Sequence, residues 1–239
     1  MLKRVALLIS LFVLLTAVFT TQAQEKLRFD ELFEGEITDD VTAVEYTITI
    51  DEGSLVVFEM QRAEKSSLYS TAIRVSDPNG GVLVDNSGEV TEERTIVGFR
   101  AVVGGQYTVT ATRGQFSSST GEYILRAILV EELTDGAAVE GTVSNESGSV
   151  YYALPAGQPL TVSYLHTSGD FYLDFDVWLI TESQGAIRIA TGGAVENITT
   201  SFGLTTETDY FMLVSVGASV IDFEFNDVES NYLVTATFN

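Results

Sequence analysis

Val44-Glu45-Tyr46-Thr47-Ile48-Thr49-Ile50 alternates apolar and polar side chains along its whole length. A period of two sends neighbouring side chains to opposite faces of an extended chain, so one face enters a core and the other meets water. The pattern returns in Tyr107-Thr108-Val109-Thr110-Ala111-Thr112 and in Leu160-Thr161-Val162-Ser163-Tyr164. Val, Ile, Thr, Tyr and Phe suit a pleated, half-buried surface. Turn-forming clusters separate the runs: Asp77-Pro78-Asn79-Gly80-Gly81, Asn86-Ser87-Gly88, Gly104-Gly105, Asn145-Glu146-Ser147-Gly148 and Gly192-Gly193. Past the first two dozen residues no segment has a convincing helical period. Many short strands with regular turns predict an all-β chain folded as a sandwich or barrel.

The order of these landmarks occurs twice, over about 31–130 and 132–239. Glu34-Gly35-Glu36-Ile37 is matched by Glu140-Gly141-Thr142-Val143, and the strand around Tyr46 by Val150-Tyr151-Tyr152-Ala153-Leu154. Gly104-Gly105-Gln106-Tyr107 corresponds to Glu207-Thr208-Asp209-Tyr210, and the closing Gly121-Glu122-Tyr123-Ile124-Leu125 to Ser230-Asn231-Tyr232-Leu233-Val234. The spacing between matched residues is 106 at Gly35 and Tyr46, 103 at Tyr107 and 109 at Tyr123, a drift that loop-length changes explain. A duplicated unit of this size predicts two domains, 24–130 and 131–239. The connection Val130-Glu131-Glu132-Leu133 is short and has no flexible spacer, so the domains are expected to touch.

Composition narrows the function. The chain is 45% hydrophobic and 19% charged, enough apolar material for real cores. It holds 34 acidic against 12 basic residues, a net charge of −22, which repels phosphate backbones and argues against nucleic acid as a partner. There is no cysteine, so neither disulfides, thiol nucleophiles nor Cys-based metal sites enter the argument. Residues 1–23 read as a secretory signal peptide: Lys3 and Arg4, then the apolar run Val5–Thr20, then Thr21-Gln22-Ala23 with a small residue at the cut. The apolar run falls short of the roughly 20 residues of a spanning helix, which favours cleavage over an anchor. No later segment predicts membrane insertion. Cleavage removes Lys3 and Arg4 but no acid, leaving 10 basic against 34 acidic residues, a net of −24. The expected location is secreted or extracytoplasmic.

The landmarks resemble the bacterial pre-peptidase C-terminal domain: an opening Gly, a strand around Tyr, a Gly turn before an alternating strand, an Asp-rich middle strand and a closing Tyr-x-Leu-x-Val/Ala strand. The second copy carries the middle strand as Asp174-Phe175-Asp176-Val177-Trp178-Leu179 and follows it with Asp209-Tyr210-Phe211-Met212-Leu213-Val214. The first copy departs from the pattern here, with Tyr69-Ser70-Thr71-Ala72-Ile73-Arg74-Val75 lacking the paired Asp. The resemblance implies a small jelly-roll-like β-sandwich, usually accompanying secreted enzymes, with reported binding to polysaccharide, collagen-like protein or calcium. No enzyme domain accompanies the two copies here.

Candidate sites follow from residue types. The one histidine, His166, lies near Ser168 and Asp170, but no Gly-x-Ser-x-Gly elbow surrounds a serine. Its place where a strand runs into a loop reads as a surface histidine. With 34 acids, a carboxylate pair at glycosidase spacing carries no information. The chain is therefore read as not an enzyme. Asp170, Asp174 and Asp176, with Asp222, Glu224 and Asp227, are candidate ligands for Ca²⁺, which takes six to eight oxygens. The competing reading makes them solvated acids. The second copy has 16 acids and one basic residue, Arg188, against 18 and nine in the first, so a cation is drawn mainly to the second. Trp178 and Tyr172 are candidate ligand-binding aromatics. Trp178 has the strand parity of Asp174 and Asp176, opposite the apolar Phe175, Val177 and Leu179; packing in a core or between domains competes with exposure. Asn145-Glu146-Ser147 and Asn197-Ile198-Thr199 fit the glycan-acceptor pattern. Together these predict an exported, non-catalytic module binding polysaccharide or protein. A structural envelope or assembly protein is the alternative, and an accessory of a secreted hydrolase a minor one.

Overall fold

Alternation becomes sheet wherever the sequence carries it. The computed structural model describes residues 25–88, 94–144, 149–154, 159–169, 173–181, 185–194, 200–204, 210–216 and 229–239. All regular structure among the described residues is β. The first nine strands are β1 (Glu25–Lys26), β2 (Leu32–Ile37), β3 (Ala43–Ile50), β4 (Leu55–Arg62), β5 (Thr71–Ser76), β6 (Val82–Asp85), β7 (Arg94–Arg100), β8 (Gly105–Arg113) and β9 (Gly121–Leu129). The second nine are β10 (Glu131–Glu132), β11 (Ala138–Ser144), β12 (Val150–Leu154), β13 (Leu160–Gly169), β14 (Leu173–Thr181), β15 (Gly185–Ala194), β16 (Thr200–Leu204), β17 (Tyr210–Val216) and β18 (Glu229–Phe238).

Sheet I has the order β1-β3-β8-β5-β6 and sheet II the order β2-β9-β4-β7. Sheet III is β10-β12-β17-β14-β15 and sheet IV β11-β18-β13-β16. Adding nine to every strand number of sheets I and II reproduces sheets III and IV. Eight antiparallel strands in these orders make a jelly roll, with two sheets face to face. Each copy adds one short parallel strand, β1 on β3 and β10 on β12.

Register confirms the duplication residue by residue. Glu25 pairs with Tyr46 and Glu131 with Tyr152. Gly35 lies opposite Tyr123, and Gly141 opposite Tyr232. The matched tyrosines make one device in both copies: the Tyr46 and Tyr123 hydroxyls are 2.8 Å apart, as are those of Tyr152 and Tyr232. Each phenol pair crosses the sandwich from one sheet to the other and ends over the opening glycine. A Cβ on Gly35 would lie 2.4 Å from the Tyr123 ring, and one on Gly141 2.2 Å from that of Tyr232. Glycine stands there because the ring occupies the space a side chain would need.

The apolar faces form three layers. Tyr46, Ile48, Phe58, Met60, Ile73, Val75, Val109 and Leu125 fill the space between sheets I and II. Val162, Tyr164, Phe175, Val177 and Val234 fill that between III and IV. A third cluster joins Leu55, Val57, Ile96 and Ile128 on the outer side of sheet II to Tyr151 and Ala153 of sheet III, with Trp178 packed against it. The molecule is therefore a stack of four sheets, I to IV. Val130 alone separates β9 from β10; it is buried in the middle layer, and its N–H donates to the Leu55 carbonyl at 3.0 Å.

Candidate functional site

The joint between sheets II and III contains the most concentrated polar chemistry among the described residues. Glu59 of β4 stands between Phe58 and Met60, which face the inner core, and shares the parity of Leu55 and Val57; it therefore lies on the outer face of sheet II, and the second sandwich covers it. Its Oε1 meets Arg94 Nε at 2.6 Å, and its Oε2 meets Arg126 Nη2 at 3.0 Å. Tyr151 of β12 donates its hydroxyl to the same Oε2 at 3.0 Å. Arg126 also donates to the Ser149 carbonyl at 2.7 Å, and its guanidinium carbon stands 5.9 Å from the centre of the Tyr151 ring. Arg94 reaches the Ser149 hydroxyl. One carboxylate thus holds two guanidiniums from its own sandwich and a phenol from the next. Burial, and then Glu59, push the Tyr151 phenol far above its ordinary range. Burial opposes the Arg94 charge, but Glu59 and Tyr151 outweigh it, so the guanidinium holds its proton more firmly than usual. The arrangement binds two sandwiches together.

The sequence-derived candidates fall in different places. Asp170, Tyr172, Asp222, Glu224 and Asp227 lie outside the described residues, as do residues 1–24 with the signal segment and both glycan-acceptor patterns. Asp174 is a strand position opposite Gly193 of β15 and Ser215 of β17. Asp176 is buried in β14 between the core residues Phe175 and Val177. Trp178 is half-buried against the middle apolar layer, which is the interface packing weighed for it above. No three acidic or histidine side chains among the described residues converge as a metal site would need.

His166 corrects an expectation. It is 3% exposed, not on the surface. The strand β13 runs on to Gly169, with a register shift between His166 and Ser168, so the loop begins later than the sequence suggested. His166 lies opposite Tyr232, the place Arg62 takes opposite Tyr123 in the first copy. The Ser168 hydroxyl accepts from Asn231 Nδ2 at 3.1 Å rather than serving the imidazole.

The aromatics that do face solvent were not singled out in the sequence. Tyr69 is 66% exposed and Phe116 80% exposed. They stand on adjoining loops, 63–70 and 114–120, at one end of the first sandwich. The Tyr69 N–H donates to Ser119 Oγ at 3.1 Å, tying one loop to the other. Ser117 and Ser119 hydroxyls are 2.7 Å apart, and Arg113 donates to the Ser119 carbonyl at 3.2 Å. Leu68, fully buried, anchors the first loop beside Tyr69. The two loops also carry Ser66, Ser67, Ser117, Ser118, Ser119 and Thr120. Two exposed rings on pinned, hydroxyl-rich loops suit a ligand with flat apolar faces and many hydroxyls of its own.

The chain matches no family model and no curated protein. Among solved structures it is similar to the tandem CBM22-1–CBM22-2 domain of Paenibacillus barcinonensis Xyn10C, at 10% identity and a TM-score of 0.27, over 87% of this chain and 91% of that one. The CUB1-EGF-CUB2 domain of human MASP-1/3 is matched at 8% identity and a TM-score of 0.25, over 86% of this chain and 99% of that one. The M60 catalytic domain with CBM51-1 and CBM51-2 from Clostridium perfringens ZmpB is matched at 6% identity and a TM-score of 0.27, over 85% and 34%. Likeness at this level carries no argument about function.

Proposed function

We propose that the chain is an exported, non-catalytic binding module made of two tandem domains, 24–130 and 131–239, of the pre-peptidase C-terminal type, and that its ligand is a polysaccharide held at Tyr69 and Phe116. The repeated strand order and the twin tyrosine pairs support the division into two domains. The observation that carries the ligand is the exposure of both rings on loops fixed by hydrogen bonds. Neither ring contributes to the core, so both are available to a ligand. Two rings are too small a patch for a stable protein interface, which buries on the order of 1,200 Å² or more. Sugar rings need only one or two such platforms, and adaptable hydroxyls alongside them.

The test is retention of the protein by insoluble polysaccharides (cellulose, chitin, xylan and peptidoglycan) in sedimentation assays, comparing the native chain with Tyr69→Ala and Phe116→Ala. Each substitution is expected to lower retention at least tenfold on the polysaccharide that binds, with the melting temperature unchanged. Retention equal to the native protein, or no retention on any of the four, overturns the reading. Calcium at Asp170, Asp174, Asp176, Asp222, Glu224 and Asp227 is a separate proposal that rests on the acidic second copy. Chelator-reversible heat in a calorimetric titration supports it, and no heat at millimolar Ca²⁺ removes it.

A further inference from the structure

A cleft of about 420 Å³ opens along one side of the joint. The first sandwich lines it with Asp30, Arg126, Ile128 and Leu129, the junction with Glu131, and the second sandwich with Val139, Tyr151 and Tyr152. Most of its polar groups already have partners. Arg126 is held by Glu59 and the Ser149 carbonyl, Tyr151 by Glu59, and Tyr152 by Tyr232. Asp30 and Glu131 form no ion pair among the described residues. The cleft therefore presents two uncompensated carboxylates above an apolar and aromatic floor.

Comparison of the copies isolates Asp30. Its backbone has φ of 62°, and the equivalent Gly136 has φ of 67°. Both N–H groups donate at 2.8 Å to matching carbonyls, Ala127 and Ala236. The second copy fills this left-handed position with glycine, the residue that suits it. The first copy keeps a side chain there, and that side chain is a carboxylate lining the cleft.

We infer that this cleft binds a lysine or arginine side chain of a basic polypeptide partner. The cation stands beside Asp30 and Glu131, while its aliphatic stem lies along Ile128, Val139 and the Tyr152 ring. Leu129 and Leu32, both exposed at the rim, receive apolar groups flanking the basic residue; Leu32 is the register partner of Arg126. The net charge of −22 draws such a partner in. An anionic ligand meets two carboxylates with no free cation opposite them. This site is separate from the aromatic loops, so failure of either leaves the other standing.

The experiment is calorimetric titration of the full chain with pentalysine at 150 mM salt, using side-chain-acetylated pentalysine as the neutral control. Asp30→Asn with Glu131→Gln is compared with Glu52→Gln with Glu64→Gln, which removes equal charge from exposed positions elsewhere. Pentalysine is expected to bind and its acetylated form not to. The cleft variant weakens binding at least tenfold with an unchanged melting temperature, and the surface variant stays within twofold of native. Equal weakening by the two variants assigns the effect to the diffuse acidic field and overturns the site, as does the absence of pentalysine binding.

Discussion

Replacing Glu59 with Gln probes what holds the two sandwiches together. The Glu59 side chain is 8% exposed, Arg126 15% and Arg94 32%. Removing one member of a buried ion pair costs about 3–5 kcal/mol, because the partner's charge is left in a poorly solvated place. Arg94 is near enough to water to recover part of its solvation, and Gln keeps an oxygen for Tyr151. The expected loss is therefore about 2–3 kcal/mol. At about 1.4 kcal/mol per factor of ten, that is roughly 30- to 140-fold in the folding equilibrium. The loss falls at the joint, so it separates the halves before it unfolds either core. The single tryptophan, Trp178, packs against that joint and reports on it. In urea, the native protein should show Trp178 fluorescence and far-UV circular dichroism changing together. In Glu59→Gln the fluorescence change should move to lower urea than the dichroism. Glu64→Gln, at an exposed site, should match the native protein. A Glu59→Gln variant within about 0.5 kcal/mol of native, with both probes still coincident, would refute the argument that this carboxylate secures the joint.

Other expectations can be checked by simpler means. Gly141→Ala forces a methyl onto the Tyr232 ring and should destabilise by about 1–3 kcal/mol in denaturant melts, with Gly35→Ala similar; a neutral effect would mean the ring has room to move. Alkaline pH should weaken the fold. Burial raises the hydroxyls of Tyr46, Tyr123, Tyr152 and Tyr232 above the ordinary value of 10.0, so the folded state holds those protons more tightly than the unfolded chain. Their contribution is complete below pH 10 and declines as pH rises through the folded values. Midpoints in guanidinium should fall from about pH 10 upward, less steeply in Tyr46→Phe with Tyr123→Phe; an identical slope in that variant counts against the linkage. Tyr69→Ala and Phe116→Ala should leave stability within about 0.5 kcal/mol of native while removing polysaccharide retention.

The all-β class, the duplication and the matched tyrosines are legible in the sequence because alternation is local and the copies repeat it in order. The pairing of Tyr46 with Tyr123 joins residues 77 apart and needs the sheet order before it can be seen. The joint left a signal that went unread: outward strand positions differ between the copies. Sheet II shows Val57, Glu59, Arg126 and Ile128 where sheet IV shows Thr161, Ser163, Thr235 and Thr237. The copy covered by a neighbour is apolar or ion-paired, and the uncovered copy carries hydroxyls. Parity puts Asp176 and Trp178 on one face of β14, but parity alone does not say that another sandwich covers that face. His166 keeps the inward parity of Leu160, Val162 and Tyr164, and a surface reading goes wrong only by ending the strand before it; the bulge between His166 and Ser168 breaks the pattern just beyond the histidine. Tyr69 and Phe116 lie in Ser-rich loops without a period, so only their exposure in the fold distinguishes them.

Val130 is the whole connection between the sandwiches, and it is buried with its N–H bonded to Leu55. A protease must draw several residues of extended backbone into its active site, and this junction has no such length to give. Limited digestion should therefore fail to release either half as a fragment until the joint itself opens, and resistance to proteolysis would then depend on that opening rather than on the tightness of either core.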